Sequence, residues 1–217
     1  MPVVRPRSYA AIDLGTNNCR LLIARPQEGE LVVIDAFSRI VRLGEGLHST
    51  GRISEAAMDR TVAALAICAD KLRRRHVTLS RAVATEACRR AANGVELADR
   101  VRRETGIVLD IISAAEEARL AALGCHNLME PGDGPALIFD IGGGSTELMH
   151  VDISDHDVAI RDWISVPWGV VSLTEHAPPS EDNLSARQAS YAHMRAVTRE
   201  AFAGFAERVK CYEGQPL

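Results

Sequence analysis

The sequence predicts an α/β fold made of two similar domains, and two observations carry that prediction. The first is a near-repeat. Tyr9-Ala-Ala-Ile-Asp13-Leu-Gly15-Thr16-Asn17, followed by the apolar run Leu21 to Ala24, returns as Ala136-Leu-Ile-Phe-Asp140-Ile-Gly142-Gly143-Gly144-Ser145-Thr146-Glu147-Leu148. Each copy is a short apolar run ending in Asp, a tight Gly/Ser/Thr turn, and a second apolar run, and the two lie about one domain length apart. The second is the order of periodicities before residue 130, which runs through three strands and then alternates helix and strand.

Residues 8–14 and 19–25 read as strands joined by the turn Gly15-Thr16-Asn17-Asn18, a hairpin signal. Leu31 opens a third strand that runs toward Arg42. Ser54 then caps a long helix in which Met58, Val62, Leu65, Ala69 and Leu72 recur at helical spacing. Arg73, Arg74 and Arg75 load its last turn, where cations suit the dipole, so this basic run reads as a solvated helix end. Val77 to Ala84 is a fourth strand, Asn93 to Glu104 a helix stopped by Gly106, and Ile107 to Ile112 a fifth strand. Ser113 opens a further helix of about a dozen residues. The order βββαβαβα is that of a complete ribonuclease-H-like unit. The turn cluster at 130–135 places the boundary between a first domain, 1–128, and a second, 129–217. The second repeats the three strands at 136–141, 145–152 and 158–166, then a short helix from Trp168 to His176 and a last helix capped by Ser185. It shows no later strands, so the second domain is expected to be incomplete, with weak turnover from this chain alone. Its open sheet edge would suit pairing with a second copy as a homodimer.

Composition narrows the function classes. At 217 residues, 47% apolar and 25% charged, the chain has ordinary globular composition. A net charge of −4 argues against nucleic-acid binding, which usually needs a basic face. Of the 25 basic residues only Lys71 and Lys210 are lysine. That bias reads either as genome composition or as guanidinium forks kept for phosphate oxygens. Cys19, Cys68, Cys88, Cys125 and Cys211 form no C-x-x-C pair, and no apolar stretch suggests a leader or a membrane span, so reduced thiols in a cytoplasmic protein are expected.

A glycine turn lets backbone N–H groups approach an anion, and neighbouring hydroxyls add donors. Two such turns aimed at one cleft would clamp phosphate. Asp140 and Glu147 flank the three-glycine turn, and hard carboxylate oxygens beside phosphates are how Mg²⁺ is usually held. The competing readings are an Asx turn for Asp140 and an outward strand position for Glu147. Asp13 repeats the Asp140 position and would bind metal-bound water. In Ser113-Ala-Ala-Glu116 the serine and Glu116 fit a capping box, which leaves Glu117, roughly 100° around the helix, to project freely.

Five segments together resemble the exopolyphosphatase/guanosine pentaphosphate phosphatase (Ppx/GppA) family of the actin-like ATPase superfamily. They are Asp13-Leu-Gly-Thr-Asn17, Arg42-Leu-Gly-Glu-Gly-Leu47, Ala84-Thr-Glu-Ala-Cys-Arg89, Ser113-Ala-Ala-Glu-Glu-Ala-Arg119 and Asp140-Ile-Gly-Gly-Gly-Ser-Thr-Glu147; a weaker sixth runs from Pro167 to Glu175. Two features depart from the family: Ala114 stands where it usually has glycine, and its later phosphate loop has no counterpart here. The resemblance implies a ribonuclease-H-like, actin-like duplicated fold and Mg²⁺-assisted hydrolysis of terminal phosphate from polyphosphate or guanosine pentaphosphate. It makes Glu117 the catalytic base, whose other reading is a first-turn glutamate favoured by the dipole. It makes Arg89 the best phosphate contact. Arg20 and Arg42 stay divided between phosphate binding and surface charge. Gly15, Thr16, Asn17, Gly142, Gly143, Gly144, Ser145 and Thr146 would donate to phosphate oxygens. An ATP-dependent kinase or ATPase of the same fold, and a non-catalytic polyphosphate or (p)ppGpp binding module, are the competing functions.

Overall fold

Alternation along the first strands decides which face of the first sheet is buried. In the computed structural model, which describes residues 7–125, 128, 135–154 and 158–210, β1 (Tyr9–Leu14) turns Ile12 and Leu14 inward. Its antiparallel partner β2 (Asn18–Gln27) adds Cys19, Leu21 and Ile23 to the same core. β3 (Glu30–Ile40) pairs antiparallel with β2, while β4 (Leu79–Ala84) and β5 (Leu109–Ile111) extend the sheet in parallel from β1. The order β3-β2-β1-β4-β5 needs two helical crossovers, because parallel neighbours cannot be joined by a hairpin.

Those crossovers are α2 (Glu55–Arg74) and α4 (Gly94–Thr105). Ser54 caps α2 as expected, its hydroxyl accepting the Ala57 N–H at 3.3 Å, and Ala57, Met58, Leu65, Leu97 and Val101 complete the core. Gly106, at φ 78°, ends α4 in the left-handed conformation that glycine tolerates. Two short helices, α1 (Leu47–Thr50) and α3 (Glu86–Arg90), escape sequence reading because one turn is too short to show a period.

The second unit is a meander of β6 (Ala136–Ile141), β7 (Thr146–Ile153) and β8 (Val158–Val166), antiparallel throughout. Its strands fall almost where the sequence places them. α5 (Ala114–Cys125) packs on this sheet: Ala118 and Ala122 share a core with Ile138, Met149, Val151 and Val158. The compact units accordingly divide at Ile112/Ser113, earlier than the 128/129 boundary that the turn cluster suggests. Glycine and proline mark where the chain bends, whereas the small-residue face of α5 decides which sheet it joins. Residues 130–134 of that cluster, and Cys211, lie outside the described residues.

α6 (Val170–His176) and α7 (Leu184–Lys210) complete the unit. Asn183, two residues before the expected Ser185, caps α7 by accepting the Ala186 N–H at 2.9 Å. Phe205 is buried and Arg208 forks onto Asp162 at 2.7 and 3.2 Å, which holds that carboxyl below its ordinary value. Among the described residues no helix is long and apolar enough to cross a membrane.

In the first unit Lys71 Nζ and Arg75 Nε donate to Asp35 at 2.7 and 2.8 Å, tying the end of α2 to β3. Hydrogen bonds from Lys71 and then Arg75 lower the Asp35 carboxyl from 3.8 to about 2. A depressed carboxyl contributes stability that is present above its unfolded value and lost as pH falls through the folded one. Asp35→Asn should therefore flatten the loss of stability between about pH 4 and pH 2, read by urea unfolding across that window. An identical slope in both proteins would show that this pairing contributes nothing.

Candidate functional site

Asp140 leads into a turn whose carbonyls are all taken. Gly142 N–H closes the turn on Ser145 O at 3.0 Å. The start of α6 then occupies the other side. Val170 N–H donates to Gly142 O at 3.0 Å, Val171 N–H and Ser172 N–H to Gly143 O at 2.8 and 3.1 Å, and Ser172 Oγ to Gly144 O at 2.9 Å. The approach is so close that a Cβ on Gly169 would stand 2.5 Å from Gly142 O and from the Gly143 carbonyl carbon. With the carbonyls tied back, the N–H groups of Gly143, Gly144 and Ser145 meet no acceptor among the described residues. Successive unaccepted N–H groups in a turn are an anion-binding arrangement.

The first unit builds the same device. Gly15 N–H closes its turn on Asn18 O at 2.9 Å. Val41 and Arg42 N–H donate to Asn17 O at 2.9 and 3.1 Å, and Gly44 N–H to Thr16 O at 2.8 Å. A Cβ on Gly44 would lie 2.3 Å from Thr16 Cγ2. Val41, Leu43 and Leu47 are buried and anchor this brace, as Val166 and Ser172 anchor the other. Thr16 and Asn17 again keep N–H groups with no acceptor among the described residues. The duplication therefore extends past the turns to the segment after the third strand of each unit. Both bracing segments, Arg42 to Leu47 and Pro167 to Glu175, are legible as motifs, but their bracing role carries no sequence signal.

The carboxylates divide between the units. Asp140 pairs with Glu147 across β6 and β7, and Glu147 with Ser165 across β7 and β8, so the three share one face. Glu147 is only 1% exposed and accepts the Ser165 hydroxyl at 2.7 Å, which overturns the outward strand position as its alternative reading. Glu117 is half-buried on α5, next to Ala118, which packs with Ile138 and Met149 on that same face. Glu117 thus belongs to the unit that holds Asp140 and Glu147, and not to the first domain, where the sequence boundary puts it. The Ser113 hydroxyl accepts the Glu116 N–H at 3.2 Å, and Arg119 forks onto the Glu116 carboxylate at 2.7 and 3.0 Å, giving that residue its structural job.

Among the described residues no three His, Cys, Asp or Glu side chains gather as a metal cage. Mg²⁺ commonly takes one or two carboxylates from a protein and keeps waters and substrate oxygens for its other positions, and the register that opposes Asp140 to Glu147 sets two carboxylates on one face. Asp13 lies in the first unit, opposite Arg20 across the hairpin, with charged atoms 3.6 Å apart.

Arg89 donates to Ile112 O at 2.8 Å and to Glu86 at 2.6 Å. Glu86 is buried, and its grip on Arg89 escapes sequence reading although the i,i+3 spacing is legible. Arg42 is exposed and held at φ 48°, a left-handed conformation that strains any side chain. Arg60 braces it, donating to Val41 O at 2.8 Å, Arg42 O at 3.3 Å and Glu45 at 2.9 Å. That contact spans two elements and has no sequence signal. Arg20 is exposed. Burial pushes the Cys88 thiol up to about 12, which makes it a packing group and not a nucleophile.

A family model described as Ppx/GppA phosphatase matches residues 22–210. Exopolyphosphatase 2 of Mycobacterium tuberculosis is 36% identical over 189 residues, covering 81% of this chain and 58% of that protein. The crystal structure of an exopolyphosphatase from Cytophaga hutchinsonii superposes with a TM-score of 0.86 at 26% identity, over 95% of this chain and 64% of that one. The Ppx/GppA family member from Aquifex aeolicus gives 0.73 at 31% identity, over 93% and 63%. The chain thus spans less than two thirds of the length of each of these relatives. These matches bear out the duplicated actin-like, ribonuclease-H-like fold.

Two variants test the braces. Gly169→Ala should cost roughly 1–3 kcal/mol in urea denaturation, the range for overpacking a closed site, whereas Val170→Ala at an exposed neighbour should stay within about 0.5 kcal/mol. Equal effects would show that the contact with the turn relaxes freely. Arg42→Gly should gain about 1 kcal/mol by relieving the left-handed strain while weakening phosphate binding measured by calorimetry. A variant that binds phosphate as the parent does would assign Arg42 to surface charge.

Proposed function

The chain belongs to the Ppx/GppA phosphatase family, and we propose that it hydrolyses terminal phosphoanhydride bonds, with inorganic polyphosphate as substrate and guanosine pentaphosphate as the competing one. The observation that carries the reading is the pair of braced turns, each offering adjacent N–H groups with no acceptor among the described residues. The exopolyphosphatases among its relatives support polyphosphate as the first choice.

Each group then has a job. Thr16 and Asn17 in one unit, and Gly143, Gly144 and Ser145 in the other, donate backbone N–H groups to phosphate oxygens, whereas Gly15 and Gly142 use theirs to close the turns and Thr146 gives its hydroxyl to Trp168 O at 2.7 Å. Arg89, held by Glu86 and Ile112 O, presents a guanidinium whose position is set in advance, and Arg20 and Arg42 add positive charge at their turn. Asp140 and Glu147 would hold Mg²⁺, which when bound neutralises charge on the phosphate oxygens. Glu117 accepts the proton of the attacking water and orients it in line with the leaving oxygen. Glu116, committed to Arg119, takes no part.

Glu117→Gln should lower the rate of phosphate release from polyphosphate by roughly 10²–10⁴-fold with little change in binding, the usual worth of a general base. Glu116→Gln should cost at most about 1 kcal/mol of stability and leave the rate nearly intact. The reverse pattern would exchange the two assignments. Polyphosphate binding without any phosphate release would favour a non-catalytic binding module, and release from guanosine pentaphosphate alone would change the substrate.

A further inference from the structure

We propose that Ser165 is a positioning residue for the Glu147 carboxylate, and through it for a divalent cation shared by Glu147 and Asp140. The inference rests on the metal role proposed above for that pair. Three observations meet at this residue.

Directly opposed residues of antiparallel strands point to the same face, so Asp140, Glu147 and Ser165 stand in one rank across β6, β7 and β8. Ser165 Oγ donates to Glu147 Oε1 at 2.7 Å. Glu147 is 1% exposed, whereas Asp140 and Ser165 are half-buried, so the middle carboxylate of the rank is the one that water reaches least.

A buried carboxylate needs donors, because an unpaired charge there is costly. A glutamate must also give up rotamer freedom before it can hold a ligand. The Ser165 hydroxyl answers both needs. It gives the buried carboxylate a donor and, being on a short side chain of a paired strand, fixes one oxygen in place. The next residue, Val166, is buried, and the chain runs on from it into the segment whose Ser172 hydroxyl donates to Gly144 O at 2.9 Å, so the strand that carries Ser165 continues into the brace of the glycine turn. Partners behind ligating carboxylates usually alter metal affinity by roughly 10–100-fold when removed.

Direct metal binding by the 217-residue chain tests this, with Mn²⁺ as probe read by electron paramagnetic resonance and Mg²⁺ as competitor. Ser165→Ala should weaken Mn²⁺ affinity by about 10–100-fold, and Ser165→Thr, which keeps the hydroxyl, should stay within about threefold of the parent. Ser165→Cys, of similar volume but a weak donor, should behave as alanine does and serves if the alanine variant fails to fold. Melting temperature in chelator is followed alongside. Variants that lose melting temperature but bind Mn²⁺ as tightly as the parent would make Ser165 merely structural and overturn the proposal. A parent chain that binds no Mn²⁺ would overturn it together with the metal reading, whereas a binding parent with unaffected serine variants would overturn the serine role alone.

Discussion

Carbonyl groups of the two turns accept hydrogen bonds from the segment that follows the third strand of each unit. Gly142, Gly143 and Gly144 are held by Val170, Val171 and Ser172, and Thr16 and Asn17 by Val41, Arg42 and Gly44. A backbone carbonyl that is satisfied on one side of a turn leaves the N–H groups to face the other, which is the polarity an anion needs. The arrangement also explains the tight glycines. Gly44 and Gly169 sit where the bracing chain meets the turn, at distances that leave no space for a Cβ. Packing, hydrogen bonding and the proposed chemistry depend on the same few ångströms of approach.

Around this frame the charged groups are arranged with their partners already in place. Arg89 is pinned by Glu86 and a carbonyl, Arg60 ties Val41, Arg42 and Glu45 together, and Glu147 is buried against Ser165. Groups ordered before a ligand arrives lose less entropy when it binds. Arg42 keeps its left-handed φ of 48° because Arg60 holds the carbonyls on either side of it, Val41 O and Arg42 O.

Much of this is legible in the residues. The strands around both turns, the long helix after Ser54 and the stop at Gly106 follow from alternation, helical spacing and capping chemistry, all of which act within a few residues. The near-repeat of Asp13 and Asp140 identifies both turns. What misleads is punctuation. The glycines and prolines at 130–135 suggest a boundary, while α5 joins the second sheet through Ala118 and Ala122, whose small side chains carry almost no sequence signal. Ser185 is a plausible cap beside Asn183, and the choice between them depends on where the helix actually begins.

By itself the sequence determined the strand and helix content, the duplication and the chemical character of each turn, because these depend on neighbours along the chain. Tertiary structure decided which of those groups stand together. It placed Glu117 in the unit of Asp140 and Glu147, ranked Ser165 beside them, set Glu86 against Arg89, and turned two glycine-containing segments into braces. The reason is physical. A hydrogen bond such as Ser172 Oγ to Gly144 O joins residues whose separation along the chain carries no period, so only the pairing of strands and the burial of their faces bring them within reach.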